Sequence, residues 1–174
     1  GKSTVEMTMQ DVLDCLRGTV GTPVTVTVLR GKNVKFSTEL VRALIEVPTV
    51  KYGMIEKTGY MRIIQFTPDT PARVQDAIES FKKNPDFKQM VIDLRDNPGG
   101  LIASVAEVAD KFIDEGPIVS TKSRLSLENS TFYASKEKTQ LKNIPIVVLI
   151  NHGSASASEI LSGALKDNHL AYLV

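Results

Sequence analysis

Twice in this chain an apolar run breaks at a turn of small residues and restarts with helical periodicity. In the second instance Ile144-Pro-Ile-Val-Val-Leu-Ile150 gives way to Asn151-His-Gly-Ser-Ala-Ser-Ala-Ser-Glu-Ile-Leu-Ser-Gly-Ala-Leu-Lys166. The first stretch reads as a buried strand and the second as a helix with hydroxylated residues in its first turn. Backbone N–H groups at such a helix start have no intrahelical partner, and the dipole there favours negative charge. A serine in that setting can have the oxyanion of an acyl-transfer step held by nearby amides. Serines at helix starts are also ordinary caps, so local chemistry leaves both roles open. At about 100° per residue, Ala157, Ile160, Leu161, Ala164 and Leu165 share one stripe. Ser156 falls at its edge, whereas Ser162 and Lys166 fall on the far side, so Ser156 is the hydroxyl best placed between core and cleft.

The first instance is Gln89-Met-Val-Ile-Asp-Leu-Arg95, followed by Asp96-Asn-Pro-Gly-Gly100 and a second helical pattern. Adjacent glycines permit unusual dihedrals and close backbone approach, and their N–H groups can form an anion-binding nest. The same loop also reads as a tight turn with no ligand. Two such loops at the C-terminal ends of apolar strands are where open α/β sheets bind ligands.

Asp93-Leu-Arg-Asp-Asn-Pro-Gly-Gly100 together with Gly153-Ser-Ala-Ser-Ala-Ser-Glu-Ile160 resembles the carboxyl-terminal processing, or tail-specific, serine proteases, which carry a PDZ domain. The resemblance extends through Gly163-Ala-Leu-Lys-Asp167 and back through Gly59-Tyr-Met-Arg-Ile63, so it covers essentially the whole chain. It implies an α/β, crotonase/Clp-like protease core with Ser156 as nucleophile and the N–H groups of Gly100 and Ala157 as the oxyanion hole. Ser154 and Ser158 become structural or capping residues, although the residues alone leave a slip of two positions open. The resemblance further implies protein substrates with flexible C-terminal tails, an extracytoplasmic location of bacterial type, and no cofactor or metal. A bulky residue at Gly100 is expected to hurt catalysis more than folding.

The family works through a Ser/Lys dyad whose lysine lies in a Gly-Lys-Gly segment beyond the serine. The only lysine after Ser156 here is Lys166. Ten helical residues separate the two by about 15 Å along the axis, beyond hydrogen-bond reach. Lys166 therefore reads as a solvated helix residue. The base is expected beyond Val174, which leaves this stretch inactive alone. His152 in the turn and His169 in a connector are weak substitutes, with no third group to orient either. Two scattered histidines and one cysteine make no metal cluster.

Two other classes compete. One is a non-catalytic peptide-binding or scaffold protein of the same fold, favoured by the missing base. The other is a crotonase-type enzyme acting on acyl-CoA, for which Glu107 and Glu159 are candidate acid–base groups, each more simply a helix-surface charge.

The N-terminal part reads as a small unit. Thr8 with Asp11 makes a capping-box-like start, Val12, Leu13 and Leu16 give an apolar face, and Gly18 ends the helix. Cys15, which has no partner for a disulfide, is expected to be a buried thiol. Thr22–Leu29 alternates at period two, turns at Gly31-Lys-Asn33, and returns as Val34–Leu40. A helix followed by a hairpin resembles the C-terminal half of a PDZ domain, so 1–46 is expected as a partial PDZ-like domain. Residues 47–174 form the catalytic core, joined to it through Val41–Pro48 and cut short at its C-terminal end. With the carboxylate-binding loop absent, 1–46 is not expected to form a working peptide groove.

From residue 50 onward the pattern is mixed. Tyr52–Glu56 and Tyr60–Phe66 flank Lys57-Thr-Gly59 as a hairpin, and Thr70-Pro71 opens a helix with Val74, Ala77, Ile78 and Phe81 on one face. Met90–Leu94 is a buried strand. Leu101, Val105, Val108, Ala109 and Phe112 mark an amphipathic helix closed by Gly116-Pro117. Ile118–Thr121 and Thr131–Ala134 are short strands about a charged loop, Lys122–Ser130, and Ile146–Ile150 and Leu170–Val174 flank the serine helix. Strand–helix alternation of this kind predicts a largely parallel sheet with packed helices. A net charge of +1 offers no electrostatic case for nucleic acid or an anionic membrane surface, and no run of residues reads as a transmembrane span. Oligomeric state has no signal in the sequence.

Overall fold

The structure is a computed structural model that describes residues 2–31, 33–44, 47–124 and 129–174. Part of the Val41–Pro48 passage and part of the charged Lys122–Ser130 loop lie outside these residues. The chain divides into two units, Gly1–Val47 and Pro48–Val174.

In the first unit, helix α1 (Met9–Leu16) is opened by Thr8, whose hydroxyl accepts the Asp11 N–H at 3.2 Å while Asp11 Oδ2 accepts the Thr8 N–H at 2.9 Å. Strands β1 (Pro23–Arg30) and β2 (Val34–Val41) pair antiparallel from Pro23–Val41 to Arg30–Val34. The helix stops just before Gly18 as expected, with Arg17 leaving it in an extended conformation. A Cβ on Gly18 would stand 2.8 Å from Arg42 Cζ, and the guanidinium fills that space. Arg42 Nε donates to the Leu16 carbonyl at 2.7 Å and Nη1 to Thr22 Oγ1 at 2.8 Å, tying helix to hairpin. Cys15 is exposed rather than buried, because no residue of α1 is fully covered.

The second unit is built on a five-stranded sheet in the order β3-β4-β5-β8-β9. Its members are β3 (Val50–Ile55), β4 (Thr58–Ile63), β5 (Gln89–Asp93), β8 (Ile146–Leu149) and β9 (Ala171–Leu173). Only the β3–β4 hairpin is antiparallel; β4, β5, β8 and β9 run parallel. Parallel neighbours need crossovers. They are supplied by α2 (Thr70–Lys82), by α3 (Ile102–Ala109) with the small hairpin β6 (Pro117–Thr121) and β7 (Ser130–Tyr133), and by α4 (Ala157–Asp167). α3 packs against both α2 and α4, so the helices form one layer, which meets the sheet through α2 on β3 and α4 on β9.

Between these layers lies the core. Met61, Ile63, Ile92 and Val148 from the sheet meet Val74, Ile78 and Phe81 of α2, Val105 and Val108 of α3, and Leu161 and Leu165 of α4. Each fully buried side chain of this kind contributes about 1.5–3 kcal/mol. Gly59 in β4 is needed for packing, since a Cβ there would stand 2.8 Å from Phe81 and 2.9 Å from Phe87.

The elements follow the predicted pattern with local departures. Leu101 precedes α3 as its N-cap and is half exposed, and Phe112 packs beyond the helix end. Ser162 is buried rather than on the solvent side of α4, its hydroxyl donating to the Glu159 carbonyl at 3.2 Å.

Candidate active site

β8 delivers the chain to a turn that ends at Ser156, the N-cap of α4. Ser156 is exposed and has φ 54° and ψ −113°. A non-glycine residue there carries strain of about 1–3 kcal/mol, which persists only where the surroundings enforce it. Glu159 reaches back so that its Oε2 accepts the Ser156 N–H at 2.7 Å, and the Glu159 N–H donates to the Ser156 carbonyl at 2.9 Å.

The neighbouring serines are occupied. Ser154 Oγ donates to the Leu94 carbonyl at 2.8 Å and accepts the Asn151 N–H at 3.0 Å. Ser158 Oγ, fully buried, donates to the Asn97 carbonyl at 3.0 Å. Both hydroxyls thus fasten the serine turn to the loop that follows β5.

That loop is organised by Asn97, which is fully buried. Its Nδ2 donates to the Ile63 carbonyl at 2.9 Å and its Oδ1 accepts the Gly99 N–H at 2.8 Å, while its own carbonyl also accepts the Ala155 N–H at 3.1 Å. A second strap joins Asp96 and Asn151: the Asp96 N–H donates to Asn151 Oδ1 and Asn151 Nδ2 donates to Asp96 Oδ1, each at 2.9 Å. Sequence reasoning did not single out Asn97 or Asn151. Both belong to residue types whose side chains mimic backbone turns, which was the available signal.

The two glycines do different work. Gly99 is buried with φ 103°, and a Cβ on it would stand 2.8 Å from the Ser156 Cβ and 2.9 Å from the Ala157 nitrogen. Gly100 is exposed with φ 143°, and a Cβ on it would strike the Phe66 carbonyl oxygen. Phe66 pairs with this segment: its N–H donates to the Gly99 carbonyl and its carbonyl accepts the Leu101 N–H, both at 2.9 Å. Those bonds use the backbone on either side of Gly100 and leave the Gly100 N–H without a partner among the described residues; the Ala157 N–H is likewise unpaired. The close approach of Gly99 to Ala157 brings the stretches bearing these donors together. The collision at Phe66 means that a side chain at position 100 would disturb folding directly, contrary to the expected selective loss of catalysis.

Beneath the loop, Asp93 is fully buried at the end of β5. Arg95 Nε and Nη2 donate to its two oxygens at 3.0 and 2.7 Å, and the Tyr60 hydroxyl donates to Oδ2 at 2.6 Å. Burial pushes the Asp93 carboxyl up, but the bonds from Arg95 and Tyr60 outweigh it and hold the group down at about 2. Burial and then the Asp93 contact push the Tyr60 phenol up, and the Asp93 bond raises Arg95.

The other candidates do not converge on Ser156. His152 and His169 are exposed, as are Lys166 and Glu107, and none has a hydrogen bond to the Ser156 hydroxyl. Glu159 is no free surface charge, because its carboxylate is engaged on the Ser156 backbone. Among the described residues no group of His, Cys, Asp and Glu could hold a metal ion.

Comparison with known proteins bears on this arrangement. The carboxy-terminal-processing protease of Bartonella bacilliformis is 41% identical over the whole chain, which covers 41% of that protein. A probable CtpA-like serine protease of Staphylococcus aureus is 37% identical, with 98% of this chain matched to 34% of its length. Among solved structures, the photosystem II D1 C-terminal processing protease superposes with a TM-score of 0.65 at 27% identity, covering 96% of this chain and 47% of that one. The chain therefore spans less than half the length of these relatives. The sequence profile described as Peptidase family S41 matches residues 57–174, which hold both loops and Ser156, and on that match the chain belongs to peptidase family S41.

Proposed function

We propose that this chain carries the nucleophile and oxyanion-binding part of a serine endopeptidase that processes proteins near their C-termini. The observation that carries the reading is the exposed, strained Ser156 beside the unpaired N–H groups of Gly100 and Ala157. In this reading the Ser156 Oγ attacks the scissile carbonyl carbon and its proton passes to a neutral lysine contributed from outside residues 1–174. Burial lowers the pKa of such a lysine toward the working range. The carbonyl oxygen becomes an oxyanion held by the Gly100 and Ala157 N–H groups. Collapse breaks the C–N bond, the lysine returns its proton to the departing amine, and an acyl-enzyme on Ser156 remains. Water activated by the same lysine then releases the acid and regenerates the serine.

Substrates are proteins with flexible C-terminal tails, and residues 1–46 are part of a PDZ-like domain that presents them. The helix and hairpin of the first unit, together with the named activities of the relatives, support this assignment. An extracytoplasmic site of action belongs to the same proposal and rests on the resemblance to the tail-specific proteases. No helix among the described residues is long and apolar enough to cross a membrane.

One observation favours a second reading, a peptide-binding protein without catalysis: no described lysine or histidine hydrogen-bonds the Ser156 hydroxyl. Cleavage of a tail-bearing protein substrate by the intact protein separates the two. Turnover that vanishes in Ser156→Ala supports the protease; turnover retained in that variant overturns it.

A further inference from the structure

We infer that Glu159 is a positioning residue for the proposed acyl-transfer site: it fixes the backbone of Ser156 and leaves Gly100 and Ala157 as the site's oxyanion donors. The inference rests on the reading of Ser156 as nucleophile and adds to it a residue that touches no substrate.

The need for such a residue comes from the backbone. Ser156 occupies φ 54° and ψ −113°, a conformation that a free chain leaves at once. Two restraints on it can be identified. Gly99 packs its backbone against the Ser156 Cβ, which limits where the side chain can go. Glu159 Oε2 accepts the Ser156 N–H at 2.7 Å, which fixes the peptide plane on the N-terminal side of the same residue. The Ser156 carbonyl is held on the other side by the N–H groups of Glu159 and Ile160, at 2.9 and 3.1 Å. With both peptide planes held, the direction of the Cα–Cβ bond is set, and Oγ keeps only rotation about that bond within the space that Gly99 leaves.

The same bond selects the donors. Three consecutive N–H groups at this helix start, those of Ser156, Ala157 and Ser158, could otherwise face an incoming carbonyl. The Ser158 N–H donates to the Ala155 carbonyl at 3.0 Å, and Glu159 takes that of Ser156. Ala157 alone of the three remains, opposite the Gly100 loop. Glu159 is exposed, so its replacement leaves the core intact.

What the bond requires is an acceptor of the right length, which glutamine also supplies. The test is the saturating rate constant for phosphonylation of Ser156 by an alkyl fluorophosphonate in the intact protein, read by mass spectrometry beside the melting temperature. We expect Glu159→Ala to lower that rate constant about 10- to 100-fold with little change in the half-saturating probe concentration, and Glu159→Gln to restore most of it. A helix cap alone would lower the melting temperature in Glu159→Ala and leave the rate constant at the wild-type value, and that result overturns the inference. So does a Gln variant as slow as the Ala variant, which would make charge rather than the hydrogen bond decisive. If the wild type takes up no probe at Ser156, the nucleophile reading itself falls and this inference with it.

Discussion

Gly99 and Ser156 are in contact so close that a Cβ on the glycine would lie 2.8 Å from the Cβ of the serine. The two residues come from loops that follow different strands, β5 and β8, which are paired in register from Met90–Ile146 to Asp93–Leu149. Parallel pairing delivers both loops to the same sheet edge, and the absent side chain at Gly99 lets them touch.

Gly99→Ala should therefore be more damaging than an ordinary glycine-to-alanine change. Its φ of 103° disfavours any L side chain, and the added methyl also displaces Ser156 and Ala157. On the proposed function we expect a loss of about 100-fold or more in turnover by the intact protein, with a stability loss of about 1–3 kcal/mol. Peptide-cleavage kinetics beside denaturant unfolding check both.

Asn97→Ala tests the hub under the loop. The substitution orphans the Ile63 carbonyl and the Gly99 N–H. Each buried group left unsatisfied costs about 1–3 kcal/mol, so a total of about 2–6 kcal/mol is expected in urea unfolding.

The serines divide by what their hydroxyls hold. Ser156→Ala should abolish turnover with stability within about 1 kcal/mol of wild type, because the side chain is exposed and the Glu159 carboxylate holds the Ser156 N–H rather than its hydroxyl. Ser158→Ala removes a buried bond to the Asn97 carbonyl and should cost about 1 kcal/mol or more while leaving measurable turnover. Parallel kinetics and thermal melts of the two variants read this out.

Asp93 gives the protein an acid-sensitive element. Its carboxyl titrates near 2 in the folded state against an ordinary value of 3.8, so the folded state favours the ionised form. The stabilisation is fully present above about pH 4 and is lost as pH falls toward 2, where folded and unfolded states bind the proton alike. Denaturant midpoints should fall across that window in the wild type, and the fall should be smaller in Asp93→Asn.

Much of this was legible in the sequence wherever periodicity carried the information. Val74, Ala77, Ile78 and Phe81 announced the buried face of α2, and each is fully covered. The pairing of a glycine turn and a serine turn after apolar strands announced that the two loops meet, because parallel strands bring such turns to one edge. What stayed hidden depends on contacts distant in the chain. Cys15 looked buried because its helix has an apolar stripe, yet that stripe is not fully covered. Ser162 looked solvent-facing by angle alone, but α4 is packed more widely than its apolar stripe, and the hydroxyl is satisfied within the helix. The Asn97 and Asn151 straps join residues that only the fold brings together, and the positive φ of Ser156 has no sequence signature at a non-glycine position.

The most direct test of Ser156 as the nucleophile is covalent labelling of the intact protein with a fluorophosphonate, followed by peptide mapping of the adduct. An adduct on Ser156 that disappears in Ser156→Ala is the predicted result. An adduct on Ser154 or Ser158, or none on a protein shown to be folded and competent to cleave, would contradict it.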